Sequence, residues 1–469
     1  MPLIFPSNTL SAGGFSVDNS CRFNDDDSAY MYRSNGTPTS QRKLTISTWL
    51  KRGTDMATTD YYMYFMGIQD TGVGDPRLTL GFTDSGQILA GENGSPSEVW
   101  KMKTNAVYKD PGAWYHIVLS IDTTQATEAN RLKIYVNGTQ VTSFATSNYP
   151  TQDLDMDTTG DEINIACIDN TSPSGFLDGY MAEMVYCDGQ AYAASDFGEF
   201  DEDSPTIWKP IDVSGLTFGD NGFYLDFEDS ANLGNDANGG TDFTTSGLAA
   251  TDQSSDSPSN NFCTMNPLDN YFFGATFSEG NLKVVSTDSI ETFGTGTMGV
   301  ASGKWYWEVK VTAASGYTTI GIASEVSDSA SNYLGEKAST PNYMYDSGTG
   351  DSYTDGTGTS YGNTYTTGDI ISVALNLDDN EIKYYKNGTV QNSGTAVSIT
   401  AAASTPIGFY LPAGGDRHND STTLEFNFGS PAYAITSGNT DADGYGNFEY
   451  AVPSGYYALC TKNIGAYGG

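Results

Sequence analysis

The sequence predicts an all-β protein built from two antiparallel β-sandwich domains joined by an ordered connector. The composition is the first indication: the 469 residues include 53 Gly, 31 Tyr and 22 Phe, and aromatic residues favour strands whereas Gly, Asn, Asp and Ser favour turns. Segments in which apolar and polar residues alternate with a period of two lie in two separate zones, as expected for half-buried strands. Each zone also contains an Asn-Gly pair after such a segment, which is a strong short-range signal for a β-hairpin.

The first zone, residues 23–210, is predicted to form one sandwich. Segment 114–121 (WYHIVLSI) places apolar residues on one face, and segment 131–136 (RLKIYV) repeats the alternation. The pair Asn137-Gly138 then closes a hairpin, because a tight primed turn needs positive φ and this pair tolerates it. We expect these segments to be neighbouring antiparallel strands.

The second zone, residues 271–432, is predicted to form a second sandwich. Segment 303–311 (GKWYWEVKV) alternates strictly and places Glu308 on the solvent side. Segment 381–385 (EIKYY) leads into another hairpin, closed by Asn-Gly at 387–388. Sandwiches need long antiparallel strands joined by hairpins, and both zones supply them.

Two further segments lie outside the predicted sandwiches. Residues 211–270 are rich in Gly, Asn, Asp and Ser but hold an alternating run at 223–227 (FYLDF). They are predicted to be an ordered connector that carries a strand. Residues 433–469 show few strand signals and are predicted to be a short C-terminal tail.

The charge of the chain excludes several kinds of partner. With 58 acidic and 21 basic residues, the formal net charge is −37. This acidity argues against nucleic acid and anionic membranes, because both attract basic surfaces. No stretch approaches the roughly 20 apolar residues of a membrane span, so membrane insertion is not expected. The opening residues lack the pattern of a signal peptide, and five scattered cysteines, an odd number, favour a reducing compartment.

Both zones resemble known families of β-sandwich domains. The first resembles the laminin-G and pentraxin group of concanavalin A-like, jelly-roll sandwiches, in segments 44–50 (LTISTWL), 114–118 (WYHIV), 132–138 (LKIYVNG) and 176–183 (FLDGYMAE). The second resembles the SPRY, or B30.2-like, domain, in segments 303–311, 317–323 (YTTIGIA), 368–371 (GDII) and 407–411 (IGFYL) and in the hairpin ending at 387–388. These resemblances imply lectin-like domains whose edges bind ligands.

The combination is similar to appendage proteins of marine tailed bacteriophages, as are segments 23–30 (FNDDDSAY), 207–212 (IWKPID) and 453–461 (PSGYYALCT). The resemblance implies a non-catalytic virion surface or tail-fibre protein, assembled in the host cytoplasm with other virion proteins. Its implied ligand is a host-surface glycan or protein receptor, and it is expected to be a homo-oligomer. Residues 1–22 are predicted to be the attachment segment. The alternatives are a structural capsid decoration protein without a ligand and, ranked below it, a glycan depolymerase.

Two tyrosine clusters are the candidate ligand-binding residues, because aromatic faces pack on pyranose rings and loops on a rigid scaffold commonly carry binding groups. The cluster near a predicted loop of the first sandwich consists of Tyr61, Tyr62 and Tyr64. The cluster in a Gly-, Ser-, Thr- and Asp-rich stretch, at the expected rim of the second sandwich, consists of Tyr343, Tyr345, Tyr353 and Tyr361. The alternative is that these tyrosines cover strands or self-association surfaces.

No cofactor is required by this interpretation, but the laminin-G and pentraxin resemblance implies a candidate calcium site at the sandwich rim. Ca²⁺ takes hard oxygen ligands. The candidate ligands are Asp25, Asp26, Asp27, Asp169 and Asp178. The alternative is that these are ordinary loop aspartates, which are expected throughout a chain this acidic.

Catalysis is not expected from the sequence. Glu199, Asp201 and Asp203 alternate as the carboxylates of concanavalin-type glycosidases do, but an acidic run near a domain end is typically a solvated loop. His116 lies in a strand pattern and is predicted to be a packing residue, whereas His418 lies in a polar loop. No Gly-x-Ser-x-Gly elbow precedes a helix, which argues against triad chemistry.

Overall fold

The protein is almost entirely β-structure, arranged in two compact units. The computed structural model describes residues 14–53, 62–69, 76–93, 98–159, 162–169, 172–287, 289–314, 316–329, 331–338, 340–418 and 420–468. Among these residues, those up to Ser259 form the first unit and those from Asn260 onward form the second. No described helix has the length and apolar character needed to cross a membrane. The all-β fold class predicted from the sequence is confirmed.

The first unit is a β-sandwich with two eight-stranded sheets and a two-stranded sheet. Its strands are β1 (Ser20–Phe23), β2 (Tyr30–Ser34), β3 (Lys43–Arg52), β4 (Tyr62–Gln69), β5 (Pro76–Thr83), β6 (Gln87–Asn93), β7 (Glu98–Val107), β8 (Trp114–Asp122), β9 (Leu132–Val136), β10 (Thr139–Gln140), β11 (Phe144–Asn148), β12 (Glu162–Ile165), β13 (Gly179–Asp188), β14 (Gly198–Phe200), β15 (Trp208–Pro210), β16 (Phe223–Leu225), β17 (Thr244–Ser246) and β18 (Gln253–Ser254). The sheet that we call the back sheet has the order β10-β9-β8-β3-β13-β1-β18, with β16 also paired to β13. The front sheet has the order β11-β7-β6-β5-β4-β12-β2-β17, and β14 pairs with β15.

The main core of the first unit lies between its two large sheets. Ile46 and Leu119 of the back sheet share one buried cluster with Phe65 and Phe82 of the front sheet. This arrangement follows from the period-two alternation, because one face of each sheet is apolar and must be covered.

The strand pair predicted at 114–136 is present. β8 and β9 pair antiparallel, with Ile121 opposite Leu132. Asn137 and Gly138 connect β9 to β10 with φ of 47° and 74°, as a primed turn requires. The local alternation and the turn pair were therefore sufficient to place this part of the back sheet.

The segment predicted as a connector at 211–270 is divided between the units, and residues 211–259 are built into the first. β16 and β18 pair with back-sheet strands, and β17 pairs with β2 of the front sheet. A buried ion pair holds the end of this segment, because Lys51 Nζ lies 2.6 Å from Asp256 Oδ2. A charge–charge contact of this kind has no signature in the local sequence pattern.

Part of the predicted attachment segment 1–22 also belongs to the first unit. Residues 1–13 lie outside the described residues. Val17 is buried, and β1 pairs antiparallel with both β13 and β18. Residues 17–22 are therefore structural parts of the sandwich.

The second unit is also a sandwich, with a nine-stranded and a six-stranded sheet. Its elements are β19 (Thr276–Ser278), β20 (Lys283–Val285), β21 (Phe293–Thr295), β22 (Lys304–Ala313), β23 (Thr318–Ala323), β24 (Tyr343–Asp346), β25 (Asp351–Thr354), β26 (Thr357–Ser360), β27 (Ile370–Asn376), β28 (Glu381–Lys386), β29 (Thr389–Val390), β30 (Val397–Ser398), β31 (Leu411–Asp416), β32 (Thr423–Asn427), β33 (Tyr457–Ala458) and α1 (Thr461–Tyr467). The larger sheet has the order β19-β20-β32-β22-β27-β28-β29, with β30 paired to β28 and β33 to β22, and the smaller has the order β21-β31-β23-β24-β25-β26. Trp305 and Trp307 of β22 lie in the buried cluster that also holds Ile320 of β23.

The segment predicted as a tail, 433–469, packs against β22 of this unit. β33 pairs in parallel with β22, and Phe448 and Cys460 are buried in one cluster with Tyr306. The outward face of β22, which the alternation assigned to solvent, is thereby covered. Glu308 on that face has no exposed surface.

Candidate functional site

The outer face of the front sheet carries a shallow trough across β4, β5, β6 and β7. Directly paired residues of neighbouring strands share a face. One row runs from Tyr64 through Gly81 and Leu89 to Lys103, because these residues are paired in turn. A second row continues the same face from Thr79 through Gly91 to Lys101. We define the trough by Tyr62, Tyr64, Thr79, Gly81, Leu89, Gly91, Lys101 and Lys103.

Two glycines keep the floor of the trough low. A Cβ on Gly81 would lie 2.5 Å from the carbonyl oxygen of Met63, and one on Gly91 would lie 3.3 Å from that of Trp100. Tyr62 and Tyr64 lie on one side of this floor and form the tyrosine wall. Lys101 and Lys103 lie on the other side and form the lysine wall. Since strands lie about 4.8 Å apart, the backbones of β4 and β7 are roughly 14 Å apart.

The tyrosine wall is held in place by its neighbours. The rings of Tyr62 and Tyr64 lie 5.7 Å apart and are tilted by 42°. The carbonyl oxygen of Gly175 accepts the backbone N–H of Tyr64 at 2.9 Å. A Cβ on Gly175 would lie 2.6 Å from the Tyr64 ring, so the absence of a side chain there leaves room for the ring. Burial raises the pKa of the Tyr64 hydroxyl above its usual value, so this group stays protonated and can donate a hydrogen bond.

Two small cavities lie along the trough. One of about 140 Å³ is lined by Tyr62, Thr83, Asp84, Ser85, Gln87, Leu89, Lys101 and Lys103. The other, of about 60 Å³, is lined by Tyr62, Tyr64, Thr79, Leu89, Gly91, Glu98, Trp100 and Lys101. Aromatic faces beside a few polar groups make a surface suited to a ligand that has both apolar and hydroxyl faces.

The two carboxylates at the trough are engaged locally. Glu98 Oε2 lies 3.0 Å from Lys101 Nζ. Asp84 Oδ1 accepts the backbone N–H of Ser85 at 2.6 Å and its hydroxyl at 3.0 Å. Glu98 therefore holds Lys101 in place, and Asp84 stabilises the turn between β5 and β6.

The structure thus brings together part of the first predicted tyrosine cluster. Tyr62 and Tyr64 lie in the trough, and Tyr61 lies outside the described residues. Lys101 and Lys103 were not singled out from the sequence. Their alternation in segment 98–107 predicts a strand face, but only the pairing of β4 through β7 shows that this face meets the tyrosines.

The second tyrosine cluster is corrected by the structure. Tyr343, Tyr345 and Tyr361 are buried in the core of the second unit, at 6%, 0% and 5% exposure, so they cannot stack on a ligand from solvent. Tyr353 is half-buried, and the Arg417 guanidinium lies 4.6 Å from its ring centroid. The Gly- and Ser-rich composition suggested loops, but β24 is paired on both sides by β23 and β25 and faces the core.

The predicted calcium ligands are not gathered into one site. Asp25, Asp26 and Asp27 form a 3-10 turn, and Asp27 Oδ2 accepts from the Asn24 amide at 2.8 Å. Among the described residues, no three His, Cys, Asp or Glu side chains lie close enough to hold a metal ion together. The remaining candidates, Asp169 and Asp178, likewise join no such group, so the residues present do not fit a side-chain calcium centre.

The acidic run at 199–203 has a structural role. Asp201 is buried, and its Oδ1 accepts the backbone N–H groups of Asp203 at 3.1 Å and Ser204 at 2.9 Å. Lys209 Nζ lies 3.4 Å from Glu199 Oε1 and 3.7 Å from Asp201 Oδ2. Asp201 therefore stabilises a turn, in contrast to the fully solvated loop expected from the sequence.

His116 is accounted for by packing, whereas His418 lies at the surface. His116 is buried, with Nε2 2.8 Å from Ser47 Oγ, and its Nδ1 accepts the indole N–H of Trp208 at 2.9 Å. Burial lowers the pKa of His116 to about 3, so the ring is neutral at physiological pH. His418 stacks edge-on against Tyr317, and its Nδ1 lies 3.7 Å from Glu291.

Comparison with known proteins identifies both domains. Residues 25–190 match the family described as the concanavalin A-like lectin/glucanases superfamily, and residues 304–426 match the SPRY domain family. Ran-binding protein 9 of Xenopus tropicalis is 36% identical over an alignment of 121 residues, which covers 24% of this chain. The match spans only 22% of that relative's length. The chain therefore carries a concanavalin A-like domain followed by a SPRY domain, a combination that indicates carbohydrate or protein binding.

Two solved structures show similarity at low sequence identity. A human SPRY domain is 17% identical, with a TM-score of 0.24, and the match covers 33% of this chain and 94% of that one. A putative carbohydrate-binding protein from Bacteroides ovatus is 15% identical, with a TM-score of 0.33, and the match covers 49% of this chain and 58% of that one.

Proposed function

We propose that this chain, which joins a concanavalin A-like domain to a SPRY domain, is a non-catalytic binding protein that takes a carbohydrate in the trough of its first unit. The observation that carries the proposal is the pair Tyr62 and Tyr64, half-buried and held beside a glycine floor. Sugar rings present apolar C–H faces that pack on aromatic rings, while their hydroxyls bind nearby polar groups.

The absence of catalysis is part of the proposal and is supported by how the acidic groups are used. Glycoside hydrolysis needs two carboxylates aimed at one glycosidic bond. In the trough, Glu98 pairs with Lys101 and Asp84 binds its own hairpin. In the run at 199–203, Lys209 and a turn engage the carboxylates.

Replacing Tyr64 with Ala should weaken carbohydrate binding at least tenfold, because it removes one wall of the trough. Tyr64→Phe keeps the ring and should retain most of the affinity. The measurement is a glycan array with the purified protein, followed by calorimetric titration of a retained glycan. The control is Tyr135→Ala, which removes a half-buried tyrosine from the back sheet. Retention of no glycan, or equal binding by Tyr64→Ala, would contradict the proposal.

We further propose that the protein is a homo-oligomer on the surface of a tailed-phage virion, where it lies beside other virion proteins. The segments at 23–30, 207–212 and 453–461 support it through their similarity to phage appendage proteins. The host-surface glycan or receptor is then the ligand, and assembly takes place in the host cytoplasm.

Immunogold electron microscopy of purified phage particles tests the virion assignment. Antibody against the second unit should label particles at regular positions on the head or the tail. Labelled particles whose protein binds no glycan would favour the structural decoration role. Unlabelled particles would refute the virion assignment and leave the glycan measurement to stand alone.

A further inference from the structure

The lysine wall of the trough is unusual in a chain with a net charge of −37. Lys101 and Lys103 lie on one face of β7, opposite the tyrosine wall. Lys101 is neutralised by Glu98 at 3.0 Å. Lys103 makes no ion pair with any residue in the described part of the chain, although it is half-buried.

Most other described Lys and Arg side chains are paired with a carboxylate. Examples outside the trough include Arg33 with Asp236 at 3.1 Å and Lys51 with Asp256 at 2.6 Å. Lys133 of β9 and Lys283 of β20 are also half-buried and make no ion pair with a described residue. Lys103 differs from them because it lies in the trough, where the nearby Asp84 contacts Ser85. This position in the candidate site suggests that the counter-charge of Lys103 comes from the ligand.

We propose that the trough selects an acidic saccharide, in which a carboxylate or sulfate group binds Lys103 while the sugar ring packs on Tyr62 and Tyr64. This inference rests on the proposed function and adds the ligand class. The row Tyr64–Gly81–Leu89–Lys103 places the two recognition groups on opposite sides of an open floor. Tyr62 and Lys103 also line the same cavity, so one bound saccharide can contact both.

Charge complementarity favours an anion over a neutral sugar at this point. An ammonium–carboxylate or ammonium–sulfate hydrogen bond is about twice as strong as one between neutral groups. The negative charge of the whole protein repels acidic polymers at long range, but salt screens that repulsion within about 8–10 Å at physiological ionic strength. Recognition of an acidic saccharide must therefore depend on a short-range contact with a positive group, and Lys103 is the group in the trough that can make it.

Calorimetric titration of the full chain tests the inference with two pairs of probes. The first is a tetramer of hexuronic acid and the same tetramer after reduction of its carboxyl groups. The second is a sulfated galactan fragment and its desulfated form. The wild type should bind one acidic probe at least tenfold more tightly than its neutral counterpart. If the hexuronic acid pair shows this difference, the bound group is a carboxylate, and if the galactan pair shows it, the bound group is a sulfate.

Lys103→Gln should lower the affinity for the acidic probe at least tenfold, so that the variant no longer distinguishes the acidic probe from its neutral counterpart. Lys133→Gln, which makes the same charge change on β9 of the back sheet, should still distinguish them. Circular dichroism and thermal unfolding of both variants verify folding. Equal affinity of the wild type for acidic and neutral probes, or equal effects of the two substitutions, would overturn the inference. Binding of neutral glycans that depends on Tyr64 would then still support the proposed function.

Discussion

Replacing Asp256 with Leu is expected to lower the free energy of unfolding of the first unit by about 3–5 kcal/mol. Asp256 Oδ2 lies 2.6 Å from Lys51 Nζ, and both side chains are 1% exposed. Its Oδ1 accepts the indole N–H of Trp114 at 3.0 Å. Removal of the carboxylate takes away the negative charge that lies 2.6 Å from a buried ammonium group, which costs more than the pair itself contributes.

Two further variants separate the charge effect from simple loss of packing. Lys51→Met combined with Asp256→Leu should recover most of the lost stability, because an apolar pair of similar volume replaces the buried ions. Asp256→Asn can still accept from Trp114 but removes the negative charge beside Lys51, so its stability should fall between those of wild type and Asp256→Leu. Hydrogen exchange of the intact chain, read peptide by peptide, measures each unit separately. The result would be contradicted if the double variant were as unstable as Asp256→Leu, or if the second unit lost stability equally.

This contact shows why the segment up to Ser259 could not be assigned from the sequence. Lys51 and Asp256 are 205 residues apart, and the residues around Asp256 do not alternate. Local periodicity predicts that a strand exists but not which distant segment covers it. By contrast, the alternation in segment 114–121 and the pair Asn137-Gly138 encode their structure within a few residues, and they were predicted correctly.

The trough illustrates the same limit for the candidate site. Tyr62 and Tyr64 were identified because they are close in sequence. Lys101 and Lys103 reach them only through two intervening strands, and the pairing register is a property of the whole sheet. The prediction that the second tyrosine cluster binds a ligand was wrong for a different reason. Its composition resembled that of a loop, but flanking strands placed Tyr345 in the core.

Glu308 was predicted to face solvent but is buried. Its replacement is therefore expected to have a large effect on the free energy of unfolding of the second unit. Glu308 Oε2 accepts the backbone N–H of Glu449 at 2.9 Å, and Oε1 accepts that of Tyr450 at 2.8 Å. The Tyr306 hydroxyl also donates to Oε1 at 2.9 Å. One carboxylate on β22, which has no exposed surface, thus binds the segment that covers it.

Glu308→Leu should therefore lower the free energy of unfolding of the second unit by about 3 kcal/mol, since buried N–H groups left without an acceptor cost about 1–3 kcal/mol each. Glu308→Gln keeps one acceptor and should cost less. The matched control is Glu381→Leu, on β28 of the same sheet, where the carboxylate is 30% exposed and its partner Lys383 lies at 3.6 Å. Chemical denaturation and limited proteolysis of segment 433–469 measure the effect. If Glu308→Leu were as stable and as protease-resistant as Glu381→Leu, the carboxylate would not be what fastens this segment to the sheet. The pairing of β33 with β22 and the apolar contacts of Phe448 and Cys460 would then hold it.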